Sequence, residues 1–444
     1  MLGSPSVTIS RVLHAGYIFS SEKTKIAFDP VFENPFSHNC YAYPNVEFDT
    51  DSIKRLRFDA IFISHFHDDH CSFESLNLLA RDTPVYVYCI FEELRELILE
   101  LGFKNVYILE LGQSVRIGTI EILPLKALDC DVDSIFHIRV GTINILNVVD
   151  SWIDPETMKY LATIPKWDLI LWPFQTLYEL EVLSPMHSQL ARPHVPGFPH
   201  EWIEQLKILQ PRCIVPSSCQ FIHESWSWYN QAMFPISYAR FETEIANVLP
   251  DTHVLKLNPS VTVELNKTSI LAKPPLDWIK PIGDQEADYK FCPSPQTTPE
   301  ISQHFPALTK TQSDEVVNFC TVHLIEKYQN IERDESNYFM KPRNWKLSIY
   351  DHEGGPLHFY FLIDRSGTKL VPDFGDQIDW MTEVPAYKIF AALNLGETLA
   401  SMYVRVIAEA DVMEDPLIVA LFTNEFASYQ KAQLARLSLP SHLI

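Results

Sequence analysis

Residues 60 to 70 read Ala60-Ile-Phe-Ile-Ser-His-Phe-His-Asp-Asp-His70, a short apolar run that ends in three histidines and two aspartates. The apolar part, β-branched and aromatic and too short for a helix, predicts a buried strand. Side chains alternate along a strand, so His65 and His67 are expected on one side, where both imidazoles can grip one cation. Asp69 and His70, on the turn that follows, are expected to face a second cation. A polar strand end with chance histidines does not account for four ligand-type residues within six positions after a buried strand.

Working outward, short strand-like runs near residues 7–9, 25–28, 85–88, 120–123, 136–140, 143–148, 169–171 and 213–215 alternate with helical patterns at 72–80, 91–101 and 200–209. Ser72 reads as an N-cap, with Glu74 and an apolar face behind it. This alternation predicts an α/β sandwich over residues 1–266. Residues 267–312 hold seven prolines and no strong periodicity, and read as a linker lying over the first domain. Residues 313–444 read as an α+β C-terminal domain: a helix, three strands, then two helical segments.

The chain has 444 residues, with 35 Lys+Arg against 57 Asp+Glu and a formal net charge of −22. An acidic surface argues against sequence-independent nucleic-acid binding and against anionic membranes. The sequence lacks an apolar run of about 18 residues and opens without a signal-peptide pattern, so a cytoplasmic protein is expected. The eight cysteines form no Cys-x-x-Cys pair and none is followed two residues later by histidine, which speaks against zinc ribbons, cysteine-held iron–sulfur clusters and a Rieske centre.

The run His65-Phe-His-Asp-Asp-His70 resembles the signature of the metallo-β-lactamase superfamily, which implies an αββα sandwich with a dinuclear metal site. His14-Ala15 and Ile26-Ala-Phe-Asp29-Pro30 resemble the opening of the branch with ascorbate-lactonase-like and phospholipase-D-like members, which implies a supporting role for Asp29 behind the metal loop. Ile143-Asn-Ile-Leu-Asn-Val-Val-Asp150 matches the family's bridging aspartate. The resemblance therefore implies metal ligation by His65, His67, Asp69, His70 and Asp150, with Asp69 and Asp150 also catalytic.

Two departures from the family pattern follow. The histidine that completes the first metal is missing from Leu125-Lys-Ala-Leu-Asp-Cys-Asp-Val-Asp133, and His137 lies among apolar strand residues and reads as a core histidine. Asp129 is taken as the replacement ligand, with Asp131 the neighbouring choice. The last family histidine is also missing: Ser218 stands in its place, with His223 close behind. A carboxylate in the first-metal set makes iron competitive with zinc, because iron oxygenases commonly combine two histidines with a carboxylate. A diiron β-hydroxylase of this fold family is a precedent for such an exchange.

A second, more diffuse resemblance covers most of residues 7–430. The metal motifs, the Gly197-Phe-Pro segment and Leu209-Gln-Pro-Arg212 look like the non-Rieske part of CMP-N-acetylneuraminate hydroxylase. Together these readings favour a diiron oxygenase acting on a small molecule with an electron-transfer partner. The alternative is a zinc- or manganese-dependent hydrolase of an ester, lactone, amide or phosphodiester. Residues 345–405 resemble a sterol-carrier-like domain. Arg192, His194 and His223 are the substrate-binding candidates, since a long aromatic and histidine-bearing connection near a metal edge suits a pocket wall.

Overall fold

Along Ala60–Ile63, Ala60 and Phe62 pack into one apolar cluster and Ile61 and Ile63 into another, and all four are buried. A strand that is apolar on both faces needs a covering layer on each side. The computed structural model supplies those layers. It describes residues 5–174, 183, 197–231, 237–288, 297–408, 410–423 and 426–438.

Among the described residues, an eight-stranded sheet runs Ile270–Lys273, Thr262–Asn266, Ser6–Arg11, Tyr17–Ser21, Thr24–Phe28, Ala60–Ile63, Val85–Val87, Val106–Ile108. A seven-stranded sheet runs His253–Val254, Cys213–Pro216, Leu169–Trp172, Ile143–Asn147, Ser134–Val140, Ile120–Lys126, Val115–Ile117. Phe28, Phe62, Phe136, Ile145 and Leu171 fill the space between them. Helices Phe73–Asn77 and Glu92–Glu100 cover the first sheet through Leu76, Leu94 and Ile98, while His200–Leu209 and Tyr238–Val248 cover the second through Trp202, Leu206, Phe241 and Ile245. The architecture is an αββα sandwich.

In both sheets the central strands are parallel, so their carboxyl ends gather at one edge. Thr24–Phe28 and Ala60–Ile63 pair with Phe28 opposite Phe62, which delivers Asp29 beside Ser64. Ser134–Val140 runs the other way and begins at that edge.

The proline-rich stretch is more than a linker. Ile270–Lys273 adds an edge strand to the first sheet, and Ile279–Pro281 pairs with Val46–Phe48. The C-terminal sheet runs Gly367–Leu370, Pro356–Asp364, Arg343–Tyr350, Trp380–Pro385, Arg405–Ile407 over its own core. Helix Ser428–Leu437 leaves that domain and packs back on the first, placing Leu434 in the cluster that holds Ile61 and Leu76. No described helix is long and apolar enough to cross a membrane.

Candidate metal centre

The strand ends at Ile63, so His65 and His67 meet on the following loop rather than by strand alternation. Their ring nitrogens, His65 Nε2 and His67 Nδ1, lie 2.9 Å apart. Asp133 Oδ1 stands 3.7 Å from His65 Nε2, and the ligand atoms of these three residues all lie within 4.8 Å of one another. A second group within the same limit combines His14, Asp69, His70 and Asp150. There, His70 Nε2 is 2.9 Å from Asp150 Oδ2 and 3.6 Å from Asp69 Oδ1, and His14 Nε2 is 3.1 Å from Asp69 Oδ2.

The hydrogen bonds behind the rings fix their tautomers. Asp29 accepts from the Ser64 amide at 2.7 Å, from Ser64 Oγ at 2.7 Å and from His70 Nδ1 at 3.0 Å. Because the Ser64 hydroxyl proton is given to Asp29, its oxygen accepts from His65 Nδ1 at 2.9 Å. Both imidazoles therefore carry a proton on Nδ1, which leaves Nε2 as the nitrogen each can offer a metal ion; in the metal-free site His70 Nε2 instead holds a proton toward Asp150 at 2.9 Å. Burial, then His70 and His67, holds the His65 imidazole well below its usual range, so it stays neutral.

Two observations show that this donor set fits cations. Asp133 Oδ1 and Asp150 Oδ1 are buried with no hydrogen-bond partner, and an orphaned carboxylate oxygen in such a place is costly unless a positive charge answers it. Burial, followed by the nearby Asp150, pushes the Asp133 carboxyl up to about 6. Asp150 has Oδ2 in the second group and Oδ1 to spare, as a bridging carboxylate requires.

The geometry groups Asp133, rather than Asp129 or Asp131, with His65 and His67. Asp129 and Asp131 are exposed and belong to neither ligand group, and the Asp129 carbonyl only closes a turn by accepting from Val132 and Asp133. Asp133 immediately precedes the strand Ser134–Val140, which begins at the edge where the site lies. Ser134–Val140 and Ile143–Asn147 form a hairpin with Val140 opposite Ile143 and Phe136 opposite Asn147. Gly141-Thr142, with φ +59 at Gly141, is a two-residue turn of the kind that fixes the register of this hairpin.

His14 is the other residue the sequence reading did not name as a member of the site. It sits at the tip of a turn in which the Gly16 amide donates to the Leu13 carbonyl at 2.6 Å. A Cβ on Gly16 would stand 2.8 Å from both the Asp29 and the Leu13 carbonyl oxygens, so only glycine lets the turn pass there. His14, Asp29, Val149 and Cys219 all have positive φ, at 50, 39, 62 and 62°, a region uncommon for non-glycine residues. Such strain gathers at sites where the surrounding structure over-determines the backbone.

His137 is a core histidine, 3.0 Å from the Tyr160 hydroxyl and 3.1 Å from Asn144 Oδ1. Ser218 is buried and donates to the Val149 carbonyl, bracing the turn into Asp150. His223 lies outside both ligand groups; its Nδ1 donates to the Asn39 carbonyl at 3.1 Å, and burial lowers its pKa to about 4. Arg192 and His194 lie outside the described residues.

A cavity of about 300 Å³ opens onto the centre. His67, Asp69 and Asp150 line it together with Phe66, Phe221 and His223, and Leu399, Phe422 and Tyr429 line it from the C-terminal part of the chain. Thr398 Oγ1 donates to Asp68 at 3.2 Å, and Gln430 Nε2 donates to the Phe66 and Cys71 carbonyls at 2.7 and 2.8 Å. Gln430 thus clamps both ends of the metal loop. Neither contact was legible in the motif.

No family model and no curated protein matches the chain. Solved structures similar to it include a Glu-to-Asp mutant of the CmlA β-hydroxylase, with 19% identity and a TM-score of 0.42 over 60% of this chain and 54% of that one. CmlA itself, a diiron β-hydroxylase from Streptomyces venezuelae, matches with 17% identity and a TM-score of 0.38 over 60% of this chain and 55% of that one. Igni18, a metallo hydrolase from Ignicoccus hospitalis, matches with 18% identity and a TM-score of 0.40 over 59% of this chain and 99% of that one. The chain thus spans about half the length of the hydroxylase.

Proposed function

We propose that this chain is a dinuclear-metal enzyme of the metallo-β-lactamase fold and that its ions are iron, serving O2-dependent hydroxylation or oxidation of a small molecule. The position of Asp133 beside His65 and His67 carries the choice. Two imidazoles and a carboxylate on one side, with Asp69, His70 and Asp150 beside His14 on the other, put three carboxylates in the set, and hard oxygen donors suit iron better than a histidine-rich set does.

Iron, when bound, would supply the one-electron chemistry that lets O2 react with an unactivated C–H bond, where zinc would supply Lewis acidity for hydrolysis. The balance for hydroxylation is R–H + O2 + 2e⁻ + 2H⁺ → R–OH + H2O. The two electrons come from a separate electron-transfer partner, since the cysteine spacing offers no Rieske centre. Asp29 and Ser64 hold the His65 and His70 rings in the metal-binding tautomer. The apolar walls Phe66, Phe221, Leu399 and Phe422 exclude water and take the substrate body. His223, with Nδ1–H given to Asn39, adds a polar group to the lining of the pocket. The C-terminal domain, sterol-carrier-like in its sequence pattern, serves as the wall that shapes the pocket.

The test is elemental analysis of protein purified without added metal, with O2 uptake by the reduced, iron-loaded protein and turnover of a chromogenic ester. Iron at two ions per chain with O2 consumption is expected. Native zinc, no reaction with O2 and ester turnover would establish the hydrolase instead.

A further inference from the structure

His14 lies within reach of the second ligand group, yet its ring is held the opposite way round from those of His65 and His70. The Cys219 amide donates to His14 Nδ1 at 3.0 Å. A backbone amide can only donate, so Nδ1 is the unprotonated nitrogen and the ring proton of neutral His14 sits on Nε2. Both partners are fixed. Cys219 is buried with φ 62°, and the segment before it is pinned by Arg11, which donates to the Ser217 carbonyl at 2.7 Å. His14 Nε2 lies 3.1 Å from Asp69 Oδ2, 3.1 Å from His70 Nε2 and 3.8 Å from Asp150 Oδ2. Ligation through Nε2 would require the proton on Nδ1, where it would point at another N–H.

We infer that His14 is a positioning residue and not a fourth ligand: its Nε2–H donates to the Asp69 carboxylate and holds that ligand toward the second ion. This rests on the dinuclear reading of the site. The second ion is then held by Asp69, His70 and Asp150, which leaves more of its coordination sphere open than four protein ligands would. Ser218 braces the turn into Asp150 and the next residue, Cys219, orients His14.

Two variants and two readouts test this. His14→Ala removes the donor, and His14→Gln returns an N–H near the same place on an amide nitrogen that cannot ligate. In titrations with Co2+, both variants are expected to bind two ions per chain at saturation. The more weakly held ion should lose about ten-fold in affinity in His14→Ala, the scale for removing a partner of a metal ligand, and recover most of it in His14→Gln. Loss of one ion per chain at saturation in both variants would overturn the inference. In metal-free protein labelled with 15N-histidine, long-range 1H–15N correlations should show an Nε2–H tautomer that is absent from His14→Gln, and an Nδ1–H tautomer there would also overturn it. A wild type that binds fewer than two Co2+ ions would sink the dinuclear reading, while the tautomer measurement would still decide the state of His14.

Discussion

Replacing Asp29 with asparagine tests the mechanism that presents the metal-binding nitrogens. The substitution keeps size and shape, and asparagine tolerates the left-handed backbone at this position, φ 39°, so strain is not a confounding change. Oδ1 accepts the Ser64 amide, while Oδ2 accepts Ser64 Oγ and His70 Nδ1. With the amide oxygen at the Oδ1 position, the new NH2 group faces the two remaining donors; in the other orientation it faces the Ser64 amide. Hydrogen bonds to a charged acceptor contribute about 1.5–3 kcal/mol each, so losing the pair at Oδ2 costs about 3–6 kcal/mol, and the flipped arrangement about half of that. The tautomers of His70 and, through Ser64, His65 also lose their anchor. Outer partners of this kind are worth about 10–100-fold in metal affinity. Competition against a chromophoric chelator gives the two metal affinities, and denaturant unfolding of metal-free protein gives the stability. Wild-type affinity for both ions, within about three-fold, would refute the tautomer argument.

Asp133→Ala should remove the ion shared with His65 and His67 or weaken it beyond detection, whereas Asp129→Ala should leave the metal count unchanged; equal metal contents would refute the choice of Asp133. Gln430→Ala removes two hydrogen bonds to the carbonyls flanking the metal loop and should cost about 1–3 kcal/mol by denaturant unfolding, with a weaker hold on metal. Lys388 Nζ and Glu397 Oε1 form a buried ion pair at 2.6 Å, and Glu397→Gln strands the ammonium, so a loss of about 3–5 kcal/mol is expected. Burial raises the Glu397 pKa, but Lys388 and His38 outweigh it and hold the carboxyl below its usual range. The pair's stabilisation is therefore full above the unfolded carboxyl's pKa and lost as pH falls through the lower folded value. Unfolding free energies measured across that acid range should fall in the wild type and flatten in the variant.

The sequence by itself determined what depends on neighbours along the chain. An apolar strand running into His65, His67, Asp69 and His70 compresses most of the ligands into six positions, so the turn that closes on Cys71 has little choice but to gather them. It also determined the α/β layering, since strands apolar on both faces demand two covers. Asp133 lay at the border of legibility. Among three acids in one loop, Asp133 is the one that adjoins the strand Ser134–Val140 at the edge of the site, and the residues around it in sequence do not rank it above Asp129.

The tertiary structure alone decided the rest. His14 joins the centre because the turn at Gly16 passes over Asp29, and its tautomer is set by an amide 205 residues away at Cys219. Gln430 clamps the metal loop across 364 residues. Which ring nitrogen carries a proton is a property of the partner behind the ring, and nothing in the local order of residues encodes that partner. Metal chemistry turns on that proton, so the motif announces the ligands while the packing behind them decides which of the nearby histidines can act as one.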